Sequence, residues 1–368
     1  MKILITGSDG FIAKNLAIKL KTYDDYKIYK YNRKTKLKNL IKYIKICDFI
    51  FHLAGSNRPL SNKNFYIDNN KLTKKITDLL IKYNKNTPII FSSSTKSSLT
   101  THYGISKKFS EKVIENYIKK TKSKSTILKI PNVFGKWCKP NYNSVVATFS
   151  YNLNRNFEIN INKNEINKKI NLIYIDDLID YFLKIIHSYP KKISNKKFIS
   201  KTISLQKLSE LLIRFKDNVD SNHLPEIKNS FEKKLYSTYL SYLQRKEFTK
   251  SLKLNIDDRG NFAEIFKNKN FGQVSYFTIK PGKVRGNHYH NTKNEIFLVL
   301  SGNVKFNILN LINNVKFSYT INAKDNKIIR MPSGYNHSIK NIGKTESIVI
   351  VWANEIFNKK NDDTITMK

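Results

Sequence analysis

The chain opens with a strand–turn–helix pattern. The apolar run Lys2–Ile5 predicts a buried strand, and a turn with two glycines leads into a segment that is amphipathic at helical spacing. Gly7 permits the tight turn, Gly10 lets the backbone approach a pyrophosphate, and Ala13 allows the helix to pack closely on the strand. Because the helix N-terminus then faces the phosphates, the pattern predicts an α/β domain that binds a dinucleotide. The predicted contacts from this turn are Gly7, Asp9, Gly10, Phe11 and Ile12.

The end of the second predicted strand indicates which cofactor binds. The strand Tyr26–Tyr31 is followed by Asn32, Arg33 and Lys34. An acidic residue here would hold a ribose 2′-hydroxyl, whereas an arginine suits a 2′-phosphate. Arg33 and Lys34 are therefore predicted to contact the cofactor, with NADPH preferred to NADH. The alternative, that both are ordinary loop residues of a basic protein, stays open.

Tyr103 and Lys107 lie four residues apart at the start of a predicted helix. Positions i and i+4 share one helix face, so the Lys107 ammonium is expected beside the Tyr103 phenol, where it would lower the phenol pKa from about 10. Tyr103 is thus a candidate proton donor for the reduction of a carbonyl by hydride. Upstream, the apolar run Pro88–Phe91 ends in Ser92–Ser94 at the carboxyl end of a strand, where α/β sheets place their sites. Ser94 is predicted to polarise the carbonyl.

From Asn255 onward the sequence changes to short β-rich runs separated by glycine and asparagine, which predicts an all-β barrel. Alternation along a strand places His288 and His290 on one face, and Glu295 is expected to return from the paired strand. With His337 further on, three imidazoles and a carboxylate make a complete ligand set for a divalent metal such as zinc. The metal could act as a Lewis acid or as a clasp that holds the barrel.

Length and composition limit the class of protein. A chain of 368 residues favours two domains, each large enough to bury a core. No apolar run approaches a membrane span, and the first residues read as a strand and not as a signal peptide. Two cysteines, Cys47 and Cys138, form no disulfide framework and fit a reducing compartment. A cytoplasmic protein is expected.

The net charge of +39 suggests a polyanion-binding protein. The lysines are spread along the whole chain, however, and form no basic block with interleaved stacking aromatics. A solvated basic surface that attracts anionic small molecules is the preferred interpretation. Neither nucleic acid nor a membrane is an expected partner.

Residues 1–245 resemble the extended short-chain dehydrogenases/reductases. The matching stretches are Thr6–Ala13, His52–Gly55, Ser92–Ser94, Tyr103 with Lys107, and Pro131–Gly135. The resemblance implies a Rossmann-type fold in which Ser94, Tyr103 and Lys107 carry out hydride chemistry, commonly on nucleotide sugars. Lys107 would also hold the nicotinamide ribose. Further residues assigned to the cofactor are Leu53, Ala54, Gly55 and Asn69.

A loop after the predicted catalytic helix is expected to cover the substrate. The stretch Lys136–Ser144 combines lysines with aromatic and amide side chains, which suit a diphosphate and a uracil. A plain surface loop is the alternative for any single residue. The predicted substrate contacts are Asn132, Lys136, Lys139 and Tyr142.

Residues 252–368 resemble the cupin double motif, except that Asn326 stands where the second block usually begins with glycine. Together the two parts resemble the bacterial bifunctional enzymes of capsular polysaccharide synthesis that form UDP-2-acetamido-2,6-dideoxy-L-talose. The most specific stretches are Pro131–Phe149, Leu235–Leu243, Asp257–Gly260 and Gly286–His290.

This second resemblance implies a division of labour and a homodimer. The cupin would epimerise carbon 3 of a UDP-4-keto-6-deoxy-N-acetylhexosamine, and the N-terminal domain would reduce carbon 4 with NADPH, on the route to N-acetyl-L-fucosamine. Two alternatives remain. In one, the cupin is only a dimerising structural module and the protein is a simple 4-ketosugar reductase. In the other, the protein is a non-catalytic NADPH sensor or polyanion-binding protein.

Overall fold

The computed structural model describes residues 1–55, 67–189, 198–358 and 362–367. The chain forms two compact units, and each unit combines two separate segments. The first unit consists of Met1–Ile213 with Asn229–Gln244, and the second of Arg214–Lys228 with Arg245–Lys368.

The first unit is an α/β domain with a parallel sheet at its centre. Its strands are β1 (Lys2–Thr6), β2 (Lys27–Tyr31), β3 (Phe49–His52), β4 (Ile89–Ser94) and β5 (Thr126–Ile130). They lie in the order β2-β1-β3-β4-β5, so the carboxyl ends of β1, β3 and β4 meet at one edge. In doubly wound folds this edge is where ligands bind. The predicted Rossmann-type class is confirmed.

Helices flank the sheet, and a small second sheet follows in the chain. The α-helices are α1 (Phe11–Leu20), α2 (Leu37–Ile46), α3 (Leu72–Lys82), α4 (His102–Thr121), α5 (Val145–Leu153), α6 (Ile175–Ser188), α7 (Leu205–Asp220) and α8 (Ser230–Leu240). The second sheet is β6 (Asn132–Phe134), β7 (Lys169–Tyr174) and β8 (Lys201–Ser204). Within the described ranges, no helix is long and apolar enough to cross a membrane.

Alternate residues of the central strands build two separate cores. Ile3 and Ile5 pack in a cluster with α1 and α6, whereas Leu4 packs in a cluster with α2, α3 and α4. Successive side chains of a strand point to opposite faces, so a strand such as β1 is buried on both sides. Full burial of each such side chain contributes about 1.5–3 kcal/mol. The two cores thereby fix the sheet edge that carries the candidate site.

The second unit is built from two antiparallel sheets. Its strands are β9 (Asn255–Asp257), β10 (Gly260–Asn268), β11 (Gly272–Ile279), β12 (Val284–Tyr289), β13 (Glu295–Ser301), β14 (Asn303–Asn310), β15 (Lys316–Asn322), β16 (Ile328–Met331), β17 (Tyr335–Asn341), β18 (Ser347–Ala353) and β19 (Ile365–Thr366). The strand orders are β16-β13-β18-β11-β10-β9 and β15-β14-β17-β12-β19. Phe277 and Phe297 from one sheet pack in one core with Phe306 and Ile339 from the other. The predicted all-β class is confirmed.

The segment Arg214–Lys228 belongs to this second unit through backbone pairing with β10. The Leu224 N–H donates to the Lys267 carbonyl at 2.8 Å, and the Lys267 N–H donates to the Asn222 carbonyl at 3.2 Å. The Asn268 side-chain amide also donates to the Leu224 carbonyl at 2.9 Å. Residues that precede the last helix of the first unit thus complete an edge of the second.

Asn326 fills the position where the cupin resemblance expects a glycine. Its φ of +51° lies in the left-handed region, and it ends the short 3₁₀ turn Ala323–Asp325. Asparagine enters this region more readily than other residues with a side chain. The turn is therefore kept despite the substitution.

Candidate active site and metal centre

The glycine turn between β1 and α1 has the geometry of a phosphate cradle. Gly7 has a φ of +66°, and a Cβ there would lie 2.6 Å from the Ala54 Cα, so no side chain fits. Helix α1 begins at Phe11 with Gly10 as a cap that has no side-chain hydrogen bond. The Ser8 hydroxyl is buried and has no hydrogen-bond partner in the described part of the chain. Open helix N–H groups and an orphaned hydroxyl fit a bound dinucleotide pyrophosphate.

The residues predicted to select the cofactor lie beside this turn. Asp9 accepts a hydrogen bond from the Asn32 side-chain amide at 3.1 Å, which ties the turn to the end of β2. Arg33 and Lys34 follow Asn32 and are exposed. Two exposed cations at the end of β2 match the predicted place of a ribose 2′-phosphate.

Gly55 and Asn69 lie against Lys107. A Cβ on Gly55 would come within 3.0 Å of the Lys107 Nζ and 2.9 Å of the Asn69 Oδ1. The Asn69 amide donates to the Ser106 hydroxyl at 3.0 Å, from a π-helical turn, Ile67–Lys71, that precedes α3. The structure therefore brings Gly55 and Asn69, two of the predicted cofactor residues, to helix α4, with Leu53 and Ala54 immediately before Gly55.

His52, which belongs to the matching stretch His52–Gly55, is buried close to the charge of Lys107. Burial and the nearby Lys107 charge lower the pKa of His52 to about 3, so the ring is neutral. Its Nε2 lies 2.8 Å from the Thr73 hydroxyl, which itself donates to the Asn69 carbonyl. Nε2 must then carry the proton, and Nδ1 accepts from the Thr6 hydroxyl at 2.6 Å. His52 thus links β1, β3 and α3 beneath the site.

The predicted Ser94, Tyr103 and Lys107 come together at the carboxyl end of β4. The Thr101 hydroxyl caps α4 by accepting from the Gly104 N–H, which sets Tyr103 in the first turn. Tyr103 is hydrogen-bonded to Ser94. The Lys107 ammonium is 4% exposed and donates to the Ser92 carbonyl at 2.9 Å.

The prediction that Lys107 lowers the pKa of Tyr103 is wrong. Burial raises the pKa of Tyr103, and it is the hydrogen bond with Ser94, not Lys107, that opposes the rise. Lys107 is itself so buried that its pKa falls to about 8, with the Glu111 carboxylate working in the other direction. The i, i+4 spacing does not show how deeply the two side chains are buried, and burial has the largest effect on both pKa values.

Glu111 is a further charged residue of this site, one helical turn beyond Lys107. It is buried on α4 and accepts a hydrogen bond from the Ser93 hydroxyl. The Lys129 ammonium lies 3.9 Å from its other carboxylate oxygen. A sequence signal existed, because Tyr103, Lys107 and Glu111 recur at intervals of four and share one helix face.

We predict that Glu111→Gln shifts the pH dependence of ketone reduction. In the expected reduction Lys107 acts as a cation, so activity should fall as the pH rises through the Lys107 pKa, which is about 8. Removing the Glu111 charge lowers that pKa further, and the alkaline fall should move to lower pH by about one unit. Glu115→Gln, an exposed carboxylate on the next turn of α4, is the control. Equal pH profiles for both variants would contradict the prediction.

Of the predicted substrate residues, Asn132 begins β6, and Lys136, Lys139 and Tyr142 follow that strand. The Lys136 ammonium lies 2.6 Å from the Asp176 carboxylate, so its charge is already compensated. The Lys139 ammonium lies 5.8 Å from the centre of the Tyr142 ring, and both side chains are exposed. Asn132 is exposed and donates to the Asn171 carbonyl at 3.3 Å.

The four predicted metal ligands converge in the second unit. The ligand atoms of His288, His290, Glu295 and His337 all lie within 4.8 Å of one another. One Glu295 oxygen is 3.3 Å from the His290 Nε2 and 3.1 Å from the His337 Nε2. The strand that brings Glu295 to this cluster differs from the predicted one.

Glu295 does not return from a strand paired with β12. Strand β12 pairs with β17 and β19, so His288 lies opposite His337 in one sheet. Glu295 begins β13, which lies in the other sheet between β16 and β18. The turn between β12 and β13 crosses from sheet to sheet, because both inner faces must cover one apolar core. The cluster consequently lies between the sheets.

The protonation pattern of this cluster fits a metal ion. The His290 Nδ1 lies 2.6 Å from the Asp363 carbonyl, and the His337 Nδ1 lies 3.3 Å from the Tyr335 carbonyl. A carbonyl only accepts, so each Nδ1 carries a proton and each Nε2 offers a lone pair to the cluster. The His290 Nε2 and the Glu295 Oε2 are buried without a hydrogen-bond partner among the described residues. A divalent cation between these acceptors would satisfy both.

Burial and neighbouring charges favour the metal-binding form of two of the ligands, His288 and Glu295. Burial and the charge of His337 lower the pKa of His288 to about 4, which keeps it neutral. Burial opposes ionisation of Glu295, but His290 and His337 beside it hold its pKa well below the usual range. Neutral imidazole and ionised carboxylate are the forms that bind metal.

Three side chains near the ligands in sequence are candidates for an acid–base group, and two of them are engaged elsewhere. The Lys293 ammonium is buried and donates to the Thr364 hydroxyl at 3.0 Å. The Tyr335 hydroxyl lies 3.4 Å from the Asn310 amide. Tyr289, at the end of β12, is half-buried. None of these contacts assigns a base.

Comparisons with known proteins match two separate parts of the chain. Residues 3–198 match the NAD dependent epimerase/dehydratase family, and residues 255–365 match the polysaccharide biosynthesis C-terminal domain. A UDP-2-acetamido-2,6-beta-L-arabino-hexul-4-ose reductase of Pseudomonas aeruginosa is 35% identical over 368 residues, covering 99% of this chain and 98% of the relative. The spore coat polysaccharide biosynthesis protein SpsL of Bacillus subtilis is 24% identical over 124 residues, 82% of its length.

Among solved structures, the capsular polysaccharide assembling protein CapF from Staphylococcus aureus is similar over its whole length. The two chains are 38% identical, the match covers 100% of both, and the TM-score is 0.92. A UDP-glucuronic acid 4-epimerase from Bacillus cereus matches 68% of this chain at 16% identity and a TM-score of 0.56. This second likeness concerns the fold alone.

Proposed function

This chain belongs to the NAD dependent epimerase/dehydratase family, and from that premise we propose that it modifies a nucleotide sugar in two steps for capsular polysaccharide biosynthesis. The second unit epimerises carbon 3 of a UDP-4-keto-6-deoxy-N-acetylhexosamine, and the first unit reduces the carbon 4 ketone with NADPH. The product is UDP-2-acetamido-2,6-dideoxy-L-talose, on the route to N-acetyl-L-fucosamine. The observation that carries the proposal is that one chain holds both the group Ser94, Tyr103 and Lys107 and the buried ligand cluster around Glu295.

In the reduction, Tyr103 gives a proton to the carbonyl oxygen as the alkoxide forms. The Ser94 hydroxyl, hydrogen-bonded to Tyr103, orients that oxygen. Lys107 is buried and is charged below a pH of about 8, so it stabilises the negative charge that develops on the carbonyl oxygen. Glu111 and His52 support this group without touching the substrate.

In the epimerisation, the ketone at carbon 4 acidifies the proton on carbon 3. A base in the second unit removes this proton, and an enolate forms that needs electrostatic stabilisation. Return of a proton to the opposite face inverts the centre. Reduction at carbon 4 then removes the ketone, so the new configuration no longer exchanges.

The two bound groups would supply what side chains cannot. Reduced nicotinamide provides the hydride, and a divalent metal held by His288, His290, Glu295 and His337 provides a Lewis acid. NADPH is proposed over NADH because Arg33 and Lys34 are exposed at the end of β2. A homodimer is part of the proposal from the family resemblance, and light scattering measures it.

The decisive experiment separates the two steps. The full chain is incubated with the UDP-4-keto-6-deoxy-N-acetylhexosamine in heavy water, with and without NADPH. Deuterium at carbon 3 is followed by NMR, and cofactor oxidation by absorbance. We expect deuterium to enter carbon 3 without NADPH, and NADPH to be oxidised faster than NADH.

Other outcomes select the alternatives. Cofactor oxidation without deuterium uptake would leave a simple ketosugar reductase with a structural barrel. The absence of both signals would favour a non-catalytic NADPH sensor or polyanion-binding protein, which strongly salt-dependent nucleic-acid binding would then support.

A further inference from the structure

The last described residues of the chain pair with β12, the strand that carries His288. Strand β19 pairs antiparallel with β12, with Thr366 opposite His288 and Ile365 opposite Tyr289. The Met367 N–H donates to the Asn287 carbonyl at 3.2 Å. We call residues 362–367 the C-terminal strap. Its place is fixed by backbone pairing directly behind the ligand cluster.

The carboxylate of Asp363 organises the turn that connects two ligands. It accepts from the backbone N–H groups of Asn291 at 3.0 Å, Thr292 at 2.7 Å and Lys293 at 2.8 Å. The Thr292 hydroxyl donates to the same carboxylate at 3.1 Å. These residues lie between His290 and Glu295 in the chain. One side chain of the strap therefore sets the path of the backbone from one ligand to the next.

The backbone of Asp363 acts on a ligand itself. Its carbonyl accepts from the His290 Nδ1 at 2.6 Å, which places the lone pair of the ring on Nε2, the atom facing Glu295. Next to it, the Thr364 hydroxyl accepts from the buried Lys293 ammonium. The strap thus holds both the orientation of His290 and the turn that follows it.

We propose that the C-terminal strap is a positioning element of the metal centre, with Asp363 as its positioning residue. It fixes the tautomer and the direction of His290 and holds Glu295 in register with it, so that the ligand set is formed before the metal arrives. The inference rests on the metal site proposed above. Partners of this kind, which orient a histidine ligand from behind, typically change metal affinity by about 10–100-fold when removed.

The test uses the full chain and does not depend on turnover. Zinc is removed with a chelator and then titrated back in competition with a chromogenic indicator, which gives the dissociation constant. Asp363→Ala keeps the backbone carbonyl that faces His290 but removes the carboxylate that anchors this carbonyl to the turn. The variant should therefore bind zinc about 10–100-fold more weakly than the natural chain. The matched control is Asp258→Ala, since Asp258 is an exposed carboxylate of the same unit that pairs with the Lys283 ammonium at 2.8 Å, outside the strap and the ligand turn. This control should keep the natural affinity.

Two further measurements separate positioning from general stability. Cobalt(II) replaces zinc, and its visible absorption reports ligand geometry; Asp363→Ala should alter this spectrum. The melting temperature in excess chelator shows whether the metal-free variant is folded. Asp363→Asn, which keeps an acceptor oxygen but no charge, should bind zinc with intermediate affinity if Asp363→Ala is too unstable to titrate.

The outcomes distinguish this inference from the metal site itself. Equal zinc affinity and an equal cobalt spectrum in Asp363→Ala and the natural chain would overturn the positioning role. A lower melting temperature without a change in affinity would do the same, because it marks a purely structural strap. If the natural chain binds zinc no better than Glu295→Gln does, the proposed metal site fails instead.

Discussion

Replacing Tyr103 by phenylalanine is expected to lower kcat for ketone reduction by about 10²- to 10⁴-fold, the usual loss when a general acid is removed. The exchange deletes one hydroxyl and keeps the ring, so binding of NADPH should change little. Stopped-flow absorbance measures hydride transfer, and cofactor fluorescence measures binding. The effect should lie in kcat and not in KM, because the proton is needed only as the alkoxide forms.

A tyrosine outside the site controls for loss of a buried phenol. Tyr181 on α6 packs on Phe198 and belongs to the periphery of a core of the same unit. Tyr181→Phe should keep natural kcat. If Tyr103→Phe reduces the ketone at the same rate as this control, Tyr103 is not the proton donor and another group must be sought.

The second large effect is expected for Glu295→Gln. This exchange removes the only charge among four ligands, so zinc affinity should fall by at least about 100-fold. A metal held at 100 times its dissociation constant stabilises the folded chain by about 2.7 kcal/mol. The rise in melting temperature on adding zinc should therefore disappear in the variant. Deuterium uptake at carbon 3 should stop, while reduction of the ketone by NADPH persists.

The control for this exchange is a carboxylate of the same unit that lies elsewhere. Glu264 on β10 is partly exposed and pairs with Lys267 at 3.1 Å. Glu264→Gln should retain the zinc-dependent rise. Deuterium uptake that survives in Glu295→Gln would show that epimerisation does not use this cluster. Uptake that stops while the zinc-dependent rise remains would assign Glu295 a role other than ligation.

Features encoded in short stretches could be predicted from the sequence. The glycine turn at Gly7, the serine at the end of β4 and the spacing of Tyr103 and Lys107 are local, and the structure has them where the patterns indicated. His288 and His290 of the second unit are also close in sequence. Their positions follow from strand alternation, which needs no knowledge of the rest of the chain.

What could not be predicted depends on contacts between distant segments. His290 and the Asp363 carbonyl are 73 positions apart, and a backbone carbonyl has no signature in a sequence. The sheet to which β13 belongs is decided by the shared core, and the loss of Lys107 basicity is decided by burial. The neutral ring of His52 depends on two hydroxyls from different elements.

The interleaving of the two units has a consequence for how the protein is made. The ribosome synthesises Arg214–Lys228 before the rest of the second unit. The pairing of Leu224 with Lys267 can form only after β10 has been synthesised. The first unit is complete at Gln244. During vectorial synthesis the first unit can thus fold early, while Arg214–Lys228 stays unpaired until the strands of the second unit are made. A single protease cut near residue 250 would separate Arg214–Lys228 from the rest of the second unit. The excised C-terminal fragment should therefore be less stable than the same residues in the intact chain.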